Sequence, residues 1–293
     1  MKYQGLYTAI VTPFKDGKVD YDAYKALIEA QIAGGVDGIV PMGTTGESPT
    51  VSTEEHLEII RKCVEFVAGR CQVIAGTGAN CTGEAIEMTK AAAAMGVDGT
   101  LQVCPYYNKP NQEGVYQHFK AIAEATDLPI MLYSIPGRSG IEIAVETVAR
   151  LAADCPTIVA IKEAGGSVER VNQLVQALPA DFAVLSGDDG LTVPFISCGA
   201  VGLVSVTSNI APAEMKALVD TAMSGDGKKA LELQKKYYPL MKGLMSLDVN
   251  PVPAKAALAL RGDISWEIRL PLVPLAEEKH GQLAELLKSF NLL

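Results

Sequence analysis

Short apolar runs alternate along this chain with longer stretches whose apolar residues recur every three to four positions. The short runs read as strands buried on both faces, the longer stretches as amphipathic helices. Strands are expected at 6–11, 38–41, 72–75, 100–103, 129–133, 157–161, 182–186 and 201–206. Helices are expected between them, at 20–33, 53–68, 83–95, 112–125, 144–153, 167–178, 190–198 and 212–224. Each unit spans roughly 20–35 residues, the length of one strand and one crossover helix. The joints repeat too: Gly35-Val-Asp-Gly38 and Gly96-Val-Asp-Gly99 each lead from a helix into a strand, where glycine suits a left-handed helix end. Eight such units predict an α/β fold, a (β/α)8 TIM barrel, with an open doubly wound sheet as the alternative. Beyond about 225 the strand signal stops, and 228–245, 252–261 and 279–290 read as helices. The expected organisation is a catalytic barrel over 1–224 and a C-terminal helical extension over 225–293. That extension is expected to cover the barrel and make contacts between subunits.

A barrel of this kind places its chemistry just after the strands, at their C-terminal ends. There stand Gly43-Thr-Thr-Gly-Glu47, Pro105-Tyr-Tyr-Asn108, Tyr133-Ser-Ile-Pro-Gly-Arg138, Lys162 and Gly187-Asp-Asp189. Hydroxyls, phenols, one arginine and one lysine converge, with no histidine or cysteine and no set of carboxylates paired for acid–base work, Asp188 and Asp189 being read as structural. That set is poor equipment for hydrolysis and good equipment for imine chemistry on an acid substrate. Lys162 ends the apolar run Ile158-Val-Ala-Ile161, where an aliphatic residue would be cheapest. It is either a structural lysine, satisfied by a carboxylate such as Glu163 or by loop carbonyls, or an amine nucleophile. Gly43-Thr-Thr-Gly46 is either an ordinary turn before the capping box Ser52-x-x-Glu55 or a nest of backbone N–H groups suited to a carboxylate. Tyr107 and Tyr133 read as amphipathic core residues or as acid–base groups. Arg138 is a solvated loop residue or a fork for a second carboxylate. Asp188 and Asp189 are expected to cap a helix or hold loops. His56 is expected at the surface or an interface.

Composition narrows the classes. Hydrophobic residues make up 48% of the 293 residues, enough for a large core. The net charge of −9 argues against a nucleic-acid or anionic-membrane surface, so an anionic substrate needs a local cationic pocket. Six cysteines without a CxxC spacing point to reduced thiols in a cytoplasm. The three histidines lack metal-ligand spacing, and no metal is expected. The N-terminal stretch Met1-Lys-Tyr-Gln-Gly-Leu-Tyr7 has no secretory-signal pattern, and no apolar run reaches the ~18 residues of a membrane span.

Taken together, Gly43-Thr-Thr-Gly-Glu47, Tyr133-x-x-Pro-Gly-Arg138, Ile161-Lys-Glu-Ala164, Ser186-Gly-Asp-Asp189 and Gly202-Leu-Val-Ser-Val206 resemble the signatures of the dihydrodipicolinate synthase/N-acetylneuraminate lyase family. The resemblance covers essentially the whole chain and implies pyruvate-dependent, class I aldolase-type chemistry without an organic cofactor. Within the family, the Thr-Thr pair and the arginine after Pro-Gly point to condensation with L-aspartate 4-semialdehyde. Relatives that cleave sialic acid typically have Ser-Thr and lack that arginine. A lyase or dehydratase acting on a sugar acid, and a catalytically dead barrel, are the alternatives. Ser134 departs from the asparagine common among the synthases.

The resemblance implies roles. Lys162 would form the Schiff base, and Tyr133, Thr44 and Tyr107 would relay protons, with Tyr107 reaching in from a neighbouring subunit. The Thr44 and Thr45 amides would hold the pyruvate carboxylate, Arg138 that of the semialdehyde, and Gly187 and Val204 would line the pocket. It also implies a homotetramer built as two tight dimers and feedback inhibition by L-lysine. The lysine site would comprise Ser48, His56, Asn80, Glu84 and Tyr106. Pro49 and Thr53 depart from the pattern of lysine-sensitive relatives, so weaker inhibition is expected.

Overall fold

The computed structural model describes residues 3–293, so Met1 and Lys2 of the N-terminal stretch lie outside it. The expected strands all form: β1 (Gly5–Ala9), β2 (Gly38–Val40), β3 (Gln72–Gly76), β4 (Gly99–Val103), β5 (Ile130–Ser134), β6 (Ile158–Glu163), β7 (Ala183–Ser186) and β8 (Gly202–Ser205). Each pairs in parallel with the next, and β8 returns to β1 to close the barrel. Helices α1 (Tyr21–Ala33), α2 (Thr53–Val67), α3 (Thr82–Ala94), α4 (Gln112–Glu124), α5 (Val145–Asp154), α6 (Val168–Ala177), α7 (Thr192–Ser197) and α8 (Pro212–Met223) follow the strands in turn. The Ser52/Glu55 capping box starts α2, and Gly35 and Gly96 take the left-handed conformation expected of them. Helices α9 (Gly227–Ser246), α10 (Val252–Arg261) and α11 (His280–Lys288) make the extension.

Residues with alternate spacing fill the barrel interior, among them Ile74, Leu101, Met131, Tyr133, Ala160 and Leu185. Their neighbours on the strands face outward against the helices in two further clusters. One irregularity matters for the chemistry. On β6, Ile158 opposes Ile130 of β5, but the next β5 residue, Met131, opposes Ala160, so Val159 is an extra residue. Such a bulge re-aims the side chains beyond it. After it, Ile161 joins the outer core while Ala160 joins the inner one. Lys162, next but one after Ala160, therefore projects into the barrel.

A hairpin that the periodicity reading did not anticipate joins Phe14–Lys15 to Lys18–Val19. Its turn is Asp16-Gly17, both at positive φ, a turn signal present in the sequence. The hairpin leans on the extension, where Glu267 accepts from the Gly17 N–H and Arg269 donates to the Gly17 carbonyl.

His118 on α4 is buried beside Phe119; its Nδ1 lies 2.9 Å from the Thr82 hydroxyl and its Nε2 has no partner among the described residues. Burial pushes its pKa down to about 4. The folded protein thus keeps it neutral where an unfolded histidine takes up a proton below ~6.5. The stability this confers is present above pH ~6.5 and is lost as pH falls towards 4. In paired thermal melts, His118→Gln should cost less stability at pH 4.5 than at pH 7. An equal difference at both values would contradict the assignment.

Candidate active site

The C-terminal ends of β5 and β6 bring two of the expected groups side by side. Tyr133 and Lys162 are direct register partners. Both are buried, at 5% and 6% exposure, and the lysine Nζ lies 4.1 Å from the centre of the tyrosine ring. Lys162 has no ion pair among the described residues. Glu163, the carboxylate that a structural lysine would have used, faces the other way on the strand. It is 2.9 Å from Arg170 Nε and also accepts from the Gly165 N–H. Arg170 bonds onward to Glu142 and to the Ile143 carbonyl. Gly187, just past β7, leaves the lysine its space: a Cβ there would sit 3.0 Å from Lys162 Cε and 2.7 Å from Ala164 Cβ. Val204 is buried in the interior cluster together with Tyr133.

Gly43-Thr-Thr-Gly46 folds as a 3-10 turn over Thr44–Gly46. As its first residues, Thr44 and Thr45 have no intrahelical acceptors for their N–H groups. Glu47 follows in the left-handed conformation and is fully buried. Its carboxylate lies 2.5 Å from Lys255 Nζ of α10 and accepts the Arg269 backbone N–H at 3.0 Å. Burial lowers the Lys255 pKa, against the opposing pull of Glu47. Arg138 lies in a short helical turn, Pro136–Ser139, and its Nη2 donates to the Asn250 carbonyl at 3.0 Å. The Asn250 side chain in turn donates to Thr45 Oγ1 at 3.0 Å.

A cavity of about 470 Å³ opens between these loops. Thr44, Tyr133 and Arg138 line it, and so do Ser48, His56, Glu84 and Tyr106. Residues of both expected sites therefore line one cavity, while Thr45, Asn80, Tyr107, Gly187 and Val204 are not on its wall. Lys162 is not on its wall; its Nζ lies against the ring of Tyr133, which is.

Three placements add detail that the residues alone did not give. His56 is not a surface side chain: it is half-buried, its Nε2 lies 2.8 Å from the Gly76 carbonyl, and burial lowers its pKa. Asn80 spends one amide N–H on the Tyr106 carbonyl at 3.1 Å, and Asn108 donates to the Asn80 carbonyl, so it staples the loop that carries the tyrosine pair. Within that pair, Tyr106 lines the cavity, and its pKa is raised by burial and by Glu84. Tyr107 is 88% exposed at φ 71°, a strained setting for a bulky residue. Asp188 and Asp189 do hold loops, as expected. Asp188 caps a 3-10 turn, and buried Asp189 accepts from the Ser205 hydroxyl and the Val206 N–H. The reading of the sequence missed Asn250, Lys255 and Arg269. The local signal that could have pointed there, and was not used, is the Asn250-Pro251 step, a turn signal between two helices.

A profile of the Dihydrodipicolinate synthetase family matches residues 2–290. The 4-hydroxy-tetrahydrodipicolinate synthase of Endomicrobium trichonymphae is 49% identical over 291 residues, 99% of this chain and 99% of that protein. Among solved structures, the 4-hydroxy-tetrahydrodipicolinate synthase of Methylacidiphilum fumariolicum SolV is 53% identical with a TM-score of 0.97, covering 99% of this chain and 96% of that one. The dihydrodipicolinate synthase of Cyanidioschyzon merolae, solved with lysine bound, is 44% identical with a TM-score of 0.96, covering 100% of this chain and 99% of that one.

Proposed function

This chain belongs to the dihydrodipicolinate synthetase family, and on that premise we propose that it is a lyase-class synthase of lysine biosynthesis. It condenses pyruvate with L-aspartate 4-semialdehyde to 4-hydroxy-tetrahydrodipicolinate through a Schiff base on Lys162. The observation that carries this reading is a buried lysine with no carboxylate partner among the described residues, in register with a tyrosine at the C-terminal end of the barrel strands.

The Lys162 amine attacks the pyruvate ketone, and loss of water gives a cationic imine. The imine withdraws electrons, so a methyl proton leaves and an enamine forms. The enamine carbon attacks the semialdehyde carbonyl. The substrate's own amine then attacks the imine carbon, closes the ring and displaces Lys162. Tyr133, Thr44 and Tyr107 of the partner subunit relay the protons. The exposed, left-handed setting of Tyr107 fits a residue that serves another protomer's site rather than its own. The open N–H groups of Thr44 and Thr45 receive the pyruvate carboxylate, and Arg138 receives that of the semialdehyde. Gly187 and Val204 shape the pocket around the imine. Barrel residues 1–224 carry this chemistry, and 225–293 brace it. The working form is a homotetramer of two tight dimers in the cytoplasm, where unpaired thiols persist; all six cysteines are free. Borohydride added with pyruvate should leave a reduced adduct on the Lys162 peptide, read by mass spectrometry; an adduct on another lysine would overturn the mechanism.

Inhibition by L-lysine belongs to the same proposal. Glu84, in the first turn of α3, meets the ammonium. Ser48, His56 and Tyr106 line the cavity around the rest of the ligand, and Asn80, which is not on the cavity wall, borders it through its bond to the Tyr106 carbonyl. The coupling runs through Tyr106 and Tyr107, neighbours in sequence that face different sites. A steady-state titration is expected to show inhibition at millimolar lysine that is lost in Glu84→Thr. Full activity at millimolar lysine, or inhibition unchanged in the variant, would refute it.

A further inference from the structure

We propose that Asn250 is a positioning residue that holds the grips on the two substrates in register with each other; this rests on the roles assigned above to Thr45 and Arg138. Asn250 belongs to neither the barrel strands nor their loops. It lies in the extension, between α9 and α10, and is 8% exposed. Its side-chain Nδ2 donates to Thr45 Oγ1, and its backbone carbonyl accepts from Arg138 Nη2, each at 3.0 Å. One residue thus spans two loops that are themselves 93 positions apart in sequence (138 − 45). No side-chain bond between Arg138 and another described residue fixes the guanidinium, so its aim depends on where the Asn250 carbonyl stands. That carbonyl is in turn fixed by the anchor on Thr45.

Stability alone does not account for the arrangement. Asn250 Oδ1 is buried and has no partner among the described residues. A buried acceptor left open is unfavourable for folding. A residue serving only to pack the loop would do better apolar. The amide is retained where it ties Thr45, and through its own backbone Arg138, into one chain.

The chain makes an unusual demand: cutting it at the pyruvate end should be felt at the semialdehyde end. Asn250→Ala is expected to raise KM for the semialdehyde by roughly tenfold, with a smaller rise for pyruvate, because misplacement of a positioning group is amplified at the reacting centre. Thr45→Val, which removes the same hydrogen bond from the other side, is expected to raise the semialdehyde KM as well, although Thr45 meets only pyruvate. In an Arg138→Ala background the Asn250→Ala effect on the semialdehyde should vanish, since coupled residues are not additive. A purely structural Asn250 would instead lower Tm and add the same penalty in both backgrounds. The experiment begins with pyruvate and borohydride on the unaltered enzyme. No adduct there would overturn the reading of the site and this inference with it. An adduct there, with an unchanged semialdehyde KM in both Asn250→Ala and Thr45→Val, would overturn this inference alone.

Discussion

Replacing Lys162 with arginine is expected to lower turnover by at least about 10³-fold and to leave nothing for borohydride to trap. An arginine keeps its proton and cannot form the imine. Packing adds a second cost, because the lysine stem runs close against Gly187 and its Nζ sits by the Tyr133 ring. Lys162→Met separates the two effects. It nearly preserves the volume, so it should fold with a melting temperature close to that of the unaltered protein while remaining just as inactive. Activity within tenfold of the unaltered enzyme in either variant would rule out a covalent role for Lys162. The same measurement decides between a synthase and a barrel that only binds its ligands, because only the former loses turnover without losing its fold.

Arg138→Ala should cost on the order of 10²-fold or more in kcat/KM for the semialdehyde, the effect of losing a bidentate carboxylate contact. Pyruvate should still be trapped on Lys162, because Arg138 bonds to the Asn250 carbonyl while Lys162 packs against Tyr133, and no bond joins the two among the described residues. Arg138→Lys should restore only part of the loss, since an ammonium cannot reproduce the planar fork. If the pyruvate KM rose and the semialdehyde KM did not, the two carboxylate grips would have been assigned the wrong way round. The result also bears on the alternative substrate, for a sugar-acid lyase would not need this arginine.

The barrel was legible from the sequence because its strands and helices carry their periods locally. The candidate catalytic groups were legible because a closed barrel assigns them one face. What stayed hidden has a common physical character. The run Ile158-Val-Ala-Ile161 is apolar throughout, so nothing in it says which side chain points inward; the extra residue at Val159 decides that, and with it the direction of Lys162. His56 follows a capping box on an amphipathic helix, which fits a solvated face as well as the inward bond to Gly76 that it makes. The tie from Asn250 to Thr45 joins residues 205 positions apart, and that from Lys255 to Glu47 joins residues 208 apart. Helical and strand periods carry no information about pairs so distant.

The Glu47–Lys255 pair has a consequence for how this chain can be divided. A (β/α)8 unit ending near 224 looks like a module that could be excised, recombined or grafted. The Glu47 side chain, however, is 0% exposed, and its carboxylate is met from outside that unit, by Lys255 and the Arg269 backbone N–H. Breaking a buried ion pair by removing one partner costs about 3–5 kcal/mol, a large share of the ~5–15 kcal/mol that holds a typical protein folded. Truncation would remove the partner and leave the charge two positions from Thr45. The barrel, though closed as a sheet, is therefore electrostatically unfinished. Removing the appendage calls for a neutral residue at 47, and exchanging it calls for a replacement that brings its own cation to Glu47.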